Sequence, residues 1–150
     1  MSNVIDSFRD EYFFLSNMFD VPVVYWGGYG SKTKKTFDNN ESAFQAQKST
    51  NPDDIDKFIG IPGKRAKYLG KRVPLRPDWN QVKEQVMYEI CLAKFTQHEF
   101  LREALLATGD SELIEGNTWR DYFWGVCNGK GQNKLGQILM RIRSELKSQK

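Results

Sequence analysis

This sequence predicts a mostly helical α+β domain with a small antiparallel β-sheet, and three observations predict it. Two aromatic and β-branched runs, VVYW and KKTF, flank the turn-prone GGYGSKTK near the start. Trp79 to about Gln97, and then HEFLREALLATG, carry apolar residues at helical spacing. A third such stretch near the end places Leu135, Ile138, Leu139 and Ile142 on one face. At 150 residues the chain is expected to form a single domain, 1–150. Its 39% hydrophobic and 13% aromatic content supplies a packed core and argues against disorder.

In chain order, the first zone reads as a β-hairpin with a long loop. Asn40 is positioned to cap a helix beginning at ESAFQAQKST, and Asn51 with Pro52 behind it starts another. IPGKRAKYLG reads as a short basic helix that stops at Gly70, after which RVPLRPD breaks the pattern. Val82, Val86, Ile90 and Ala93 mark the next helix. Phe100, Leu101, Ala104 and Leu105 mark the one after it, which Gly109 ends. These two helices are expected to pack as a pair and supply much of the core. ELIEGN then leads through an aromatic, glycine-rich loop into the last helix, and KSQK reads as a frayed basic end.

Composition excludes several classes. A net charge of +3 is too small to announce nucleic-acid binding, though it suits an anionic ligand. The segment MSNVIDSFRDEYFFLSN has no basic stretch followed by an apolar run, and no part of the sequence approaches the roughly 20 apolar residues of a membrane span, so a cytoplasmic protein is expected. Cys91 and Cys127 form no CxxC pair and have no nearby His, which predicts reduced thiols, no disulfide and no metal.

Three segments carry candidate chemistry. In ESAFQAQKST, at roughly 100° per residue, Glu41 and Lys48 fall about 20° apart around a helix axis, with Gln45 and Phe44 on either side. An acid, an amide, an amine and a ring then share one face; the alternative is a helix face that simply meets water. The loop GVCNGKGQNKLG, from Gly125 to Gly136, fails the Walker A and dinucleotide templates because Gly131 and Lys134 stand at required positions. It is left as a generic anion cradle with Lys130 and Lys134 at its rim, or a plain loop and helix start. Before it, EGNTWRDYFWG crowds Glu115, Trp119, Asp121, Tyr122 and Trp124 together. That reads either as a pocket wall that stacks a planar base, or as rings plugging an open end while Asp121 caps a turn. His98 reads as a capping or surface residue. The cluster Lys64, Arg65, Lys67, Lys71, Arg72 and Arg76 reads as a solvated face that can also hold phosphate.

NNESAFQAQKS, DWNQVKEQVMYEICLAKFTQHEFLREALLATGDSELIEG and DYFWGVCNGKGQNKLGQILMRIR together resemble the NADAR superfamily of YbiA-like N-glycosidases, over about Tyr12 to Leu146. The resemblance implies hydrolysis of an N-glycosidic bond between a ribose phosphate and a nitrogenous base, with aminoribosyl pyrimidine phosphates of riboflavin biosynthesis as substrates. Alternatives are removal of ADP-ribose from guanine in nucleic acid, or a non-catalytic module that binds ADP-ribose. Motif by motif, it implies Glu41 and Lys48 from ExxFQAQK, Trp79 before the VKEQVM helix, Asp121 and Trp124 from DxxWG, Asn17 from LSNMF, and Asn133, Leu135 and Gly136 from NxLG. The expected catalytic set is Glu41, Lys48 and Asp121. Asn17, Phe44, Gln45, Trp79, Trp124, Gly125, Lys130 and Asn133 are expected to contact the ligand, with no cofactor. Glu115 to Asp121 is one residue longer than the family spacing, which leaves the role of Glu115 open, and the glycine content of VCNGKGQN varies among relatives.

Overall fold

A computed structural model describes residues 3–149, so Met1, Ser2 and Lys150, the last residue of the expected frayed end, lie outside the described residues. In order the elements are β1 (Val4–Ile5), a 3₁₀ helix (Asp10–Leu15), β2 (Asp20–Trp26), β3 (Lys34–Asn39), α1 (Asn40–Ala46), a second 3₁₀ helix (Pro52–Phe58), α2 (Gly63–Gly70), α3 (Trp79–Gln97), α4 (Glu99–Ala107), β4 (Glu112–Leu113) and α5 (Lys134–Ser148). They form two compact units: residues 17–97, and the described residues up to Ser16 together with those from His98 onward.

In the 17–97 unit the predicted hairpin is present. β2 pairs antiparallel with β3, Val23 opposite Phe37 and Tyr25 opposite Lys35. The register slips between Asp20 and Val23, where Pro22 has no N–H to offer the ladder. β2 alternates exposed and buried residues along its length, turning Val21, Val23 and Tyr25 inward. α3 packs against that inner side: the Tyr25 hydroxyl donates to Glu89 at 2.7 Å, and the Gln97 amide bonds both the N–H and the C=O of Val24. Desolvation, reinforced by Glu89, holds the Tyr25 hydroxyl above the ordinary phenol range.

The α3 core stripe is Met87, Ile90, Cys91, Lys94 and Phe95, which are spaced as one helix face, rather than the expected Val82, Val86 and Ala93. Lys94 therefore occupies a core position, 1% exposed, its Nζ 5.5 Å from the Phe19 ring centre and 5.1 Å from that of Phe95. α1 packs against α2, α3 and both strands. Asn39, not Asn40, caps it by accepting the Ser42 N–H at 2.8 Å. Asn51 accepts the Asp53 N–H as expected, but Pro52 opens a 3₁₀ helix.

In the other unit β1 pairs in parallel with β4, a second small sheet that the periodicity does not announce. α4 packs on α5 and buries Leu101 and Leu105, whereas Phe100 is exposed beside the His98 ring. Within the units, α3 packs on α1 and β2, and α4 on α5. His98 stands at the N-cap of α4 and makes no side-chain cap bond. Among the described residues no helix is long and apolar enough to cross a membrane.

Candidate active site

α1 is buried along its whole length, polar residues included. Buried polar groups require partners, and most have them. Ser42 Oγ donates to the Ile61 carbonyl, Gln47 Nε2 to the carbonyls of Trp26 and Ala43, and Asn40 Nδ2 to Asn17 Oδ1 and Cys91 Sγ. Two buried acceptors stand without a donor, Asn40 Oδ1 and Gln45 Oε1.

Glu41 is 8% exposed. Its N–H donates to the Asn17 carbonyl at 3.0 Å, and its Oε1 accepts Gln45 Nε2 at 2.8 Å. Phe44, one residue before Gln45, packs on Trp79 with ring centres 5.0 Å apart, and Lys48 Nζ lies 5.9 Å from the centre of the Trp79 ring. Asn17, Glu41, Phe44, Gln45, Lys48 and Trp79 are therefore one cluster in one unit.

The helix itself is shorter than the expected segment. α1 ends at Ala46, because the chain turns to pair with residues 74–76: Ser49 bridges Leu75, Thr50 N–H donates to the Pro74 carbonyl, and the Lys48 carbonyl accepts the Arg76 N–H at 2.8 Å. Lys48 reaches the Trp79 ring from this turn. Burial lowers its pKa below the ordinary 10.5; Glu41 opposes the shift, and Lys71, Lys67 and Lys83 reinforce it. Asn17 reaches the cluster through its backbone, while its side chain donates to Met87 Sδ and accepts from Asn40, under the start of α1. Its contribution is to fix where Glu41 sits.

The remaining expected residues lie in the other unit, where the aromatic and glycine-rich loops interlock. Asp121 Oδ1 accepts the N–H groups of Phe123 and Trp124 at 3.2 and 2.9 Å, so Asp121 does cap a turn. The plug does not form, since Trp119 is 58% exposed and Tyr122 also faces solvent. Trp124 is half-buried and meets Phe123 edge-on, with ring centres 4.7 Å apart.

The loop GVCNGKGQNKLG, read above as an anion cradle or a plain loop and helix start, forms a tight hairpin turn that leads into α5. Cys127 and Lys130 bond each other's backbone across an Asn128–Gly129 turn whose two residues both have positive φ, 53° and 77°, the conformation that an Asn-Gly pair favours. The N–H groups of Gln132, Asn133, Lys134 and Leu135 donate to the carbonyls of Tyr122, Gly125, Phe123 and Trp124. These four amides are bonded within the fold, and Lys130 sits exposed at the hairpin tip.

Asn133 is likewise committed: its side chain accepts the Glu115 N–H and donates to the Leu113 carbonyl, both at 2.9 Å, tying β4 to the start of α5. Gly125 serves close packing, because a Cβ there would strike the Glu115 carbonyl oxygen and stand 2.7 Å from Asn117 Nδ2. Gly125→Ala is expected to lose about 1–3 kcal/mol of stability, as chemical denaturation should show by a lower midpoint at unchanged slope.

Lys94 is the titratable group that the sequence reading passed over. Desolvation lowers its pKa to about 7, and the same burial pushes neighbouring Cys91 up to about 12. The available signal was its place in the stripe with Met87, Ile90, Cys91 and Phe95. Among the described residues no group of three or more His, Cys, Asp or Glu is placed to hold a metal ion.

The NADAR domain family model matches residues 5–147. The chain is 42% identical over 120 residues to the N-glycosidase YbiA of Shigella boydii, covering 77% of this chain and 74% of that protein. It is 47% identical over 72 residues to a riboflavin biosynthesis protein of Vibrio vulnificus, covering 47% of this chain and 19% of that protein. The NMR structure of the E. coli protein YbiA superposes with a TM-score of 0.83 at 35% identity, over 99% of this chain and 88% of that one. With the α+β architecture matched over nearly its full length, the chain belongs to the NADAR domain family.

Proposed function

We propose that this protein is an N-glycosidase that hydrolyses the bond between C1′ of a ribose phosphate and a nitrogenous base, acting on aminoribosyl pyrimidine phosphates of riboflavin biosynthesis. The observation that carries the reading is the buried Glu41 carboxylate, held by Gln45 and close enough to the half-buried Lys48 to oppose its pKa shift. The names of the relatives support the same class of reaction. Cleavage of an N-glycoside builds positive charge at C1′, and a carboxylate fixed beside it stabilises that charge. Trp79 and Phe44 form the aromatic wall beside the reacting bond.

Lys48 supplies the nucleophile. Its lowered pKa leaves more neutral amine at a given pH than an exposed lysine has. The amine adds to C1′ as the bond to the base breaks, and the base leaves with its electron pair and takes up a proton. Opening of the resulting aminoribosyl-lysine gives an iminium, which water hydrolyses to free sugar phosphate and Lys48.

Two outcomes follow. Because only the neutral amine attacks, kcat/KM rises with pH through an ionisation below the ordinary lysine value. In addition, borohydride added during turnover traps labelled substrate on the wild type but not on Lys48→Ala; turnover without trapping would assign the attack to water instead. The substrate is tested by offering 5-amino-6-ribosylaminouracil 5′-phosphate and, separately, an ADP-ribosylated guanine oligonucleotide. Release from the small molecule is expected, and release from the oligonucleotide alone would replace the riboflavin intermediate with the nucleic-acid adduct.

A further inference from the structure

α2 meets α1 through residues with almost no side chain. Gly63, Ala66 and Gly70 form its buried face. A Cβ on Gly70 would overlap Gln45 Oε1, and one on Gly63 would stand 3.3 Å from Glu41 Cβ. The edge of α2 therefore lies directly against the Glu41 and Gln45 pair. Lys67 and Lys71 each follow one residue after a buried position, about 100° around the helix and one turn from each other, and so line that edge together.

On α3, Lys83 follows Trp79 by one turn. Helical side chains lean toward the N-terminus, which carries Lys83 back over the turn that holds Trp79, the ring beside Lys48 Nζ. Lys67 and Lys83 are half-buried and Lys71 is exposed, and the positive charge of all three reaches Lys48. Arg76 forms a two-pronged pair with Asp78 at 2.6 and 2.9 Å, and Arg72 stacks 3.6 Å over Tyr68 while bonding its carbonyl.

Lys67, Lys71 and Lys83 thus bring positive charge to the Lys48 side of the cluster that holds Glu41. Ammonium groups gathered on one edge favour an anionic group on the ligand.

We propose that Lys67, Lys71 and Lys83 seat the phosphate of the substrate, with the ribose bridging from that seat to Glu41. The proposal rests on the glycosidase reading for the identity of the ribose, and it places the phosphate at the α2 edge rather than at the glycine-rich loop.

The test is binding, so that it stands apart from turnover. Ribose 5-phosphate and ribose are titrated calorimetrically into the wild type, Lys71→Gln, the triple variant Lys67→Gln/Lys71→Gln/Lys83→Gln, and Lys147→Gln as a charge control. Circular dichroism and thermal melts check that each is folded. The expected result is ribose 5-phosphate affinity at least about tenfold weaker in the triple variant, an intermediate loss in Lys71→Gln, and no change for ribose or in the control. Unchanged ribose 5-phosphate affinity in the folded triple variant, or an equal loss for both sugars, overturns the proposal, as does a wild type that does not prefer the phosphorylated sugar. If Lys67→Gln/Lys71→Gln/Lys83→Gln does not fold, Lys71→Gln decides on the same criteria. A wild type that binds ribose 5-phosphate through these lysines yet releases no base would leave the seat standing and remove the glycosidase reading.

Discussion

Glu41→Gln is expected to keep ligand affinity within about threefold while turnover falls by about 10²–10⁴. The substitution preserves shape and leaves an amide oxygen to accept the Gln45 N–H, so the cluster keeps its geometry. What is lost is the negative charge that the proposed reaction sets beside C1′. A second consequence follows from the Lys48 electrostatics. Glu41 raises the Lys48 pKa against the burial that lowers it, so removing the carboxylate lowers it further. The residual activity of Glu41→Gln should therefore rise with pH along a limb displaced to lower pH than the wild type's. Equilibrium binding measures the first statement and a kcat/KM profile the second. Parallel losses of binding and turnover would make Glu41 a structural residue.

Lys94→Met is expected to flatten the pH dependence of stability. In the folded protein the Lys94 pKa is about 7, against an ordinary 10.5 when the chain is unfolded. Below pH 7 both states hold the proton, and the folded state bears the full cost of a buried ammonium, on the order of 5 kcal/mol. Between about 7 and 10.5 the unfolded state binds more protons, so stability climbs with pH until the cost disappears. The rings of Phe19 and Phe95 offset only part of that cost. Methionine fills similar volume without a charge. Denaturant unfolding at pH 6, 8 and 10 should show the wild type gaining stability along the series and Lys94→Met changing far less. Parallel slopes for the two proteins would mean that Lys94 keeps its proton in the fold.

The sequence carried most of the fold because its signals are local. The hairpin, α2 ending at Gly70, α3 from Trp79 to Gln97 and the stop at Gly109 follow from turn residues and short-range periodicity. The parallel pairing of Val4–Ile5 with Glu112–Leu113 joins two-residue strands more than a hundred positions apart, and neither leaves a periodic trace. The site shows the same division. Glu41, Gln45 and Phe44 were legible from helical spacing. Lys48 was placed on the right side for a partly wrong reason, since its segment leaves the helix to pair with residues 74–76. In the glycine-rich loop, spacing reveals potential amide donors but not the carbonyls that hold those of Gln132 to Leu135. Lys94 was not singled out, because its burial depends on what α3 packs against.

The most direct measurement is a time course with purified wild type and 5-amino-6-ribosylaminouracil 5′-phosphate, quantifying free sugar phosphate and free base together, with Glu41→Gln alongside. The account predicts one sugar phosphate per base over many turnovers by the wild type, and release slower by at least about 10² in Glu41→Gln. Binding of this substrate by the wild type without release of either product would contradict it.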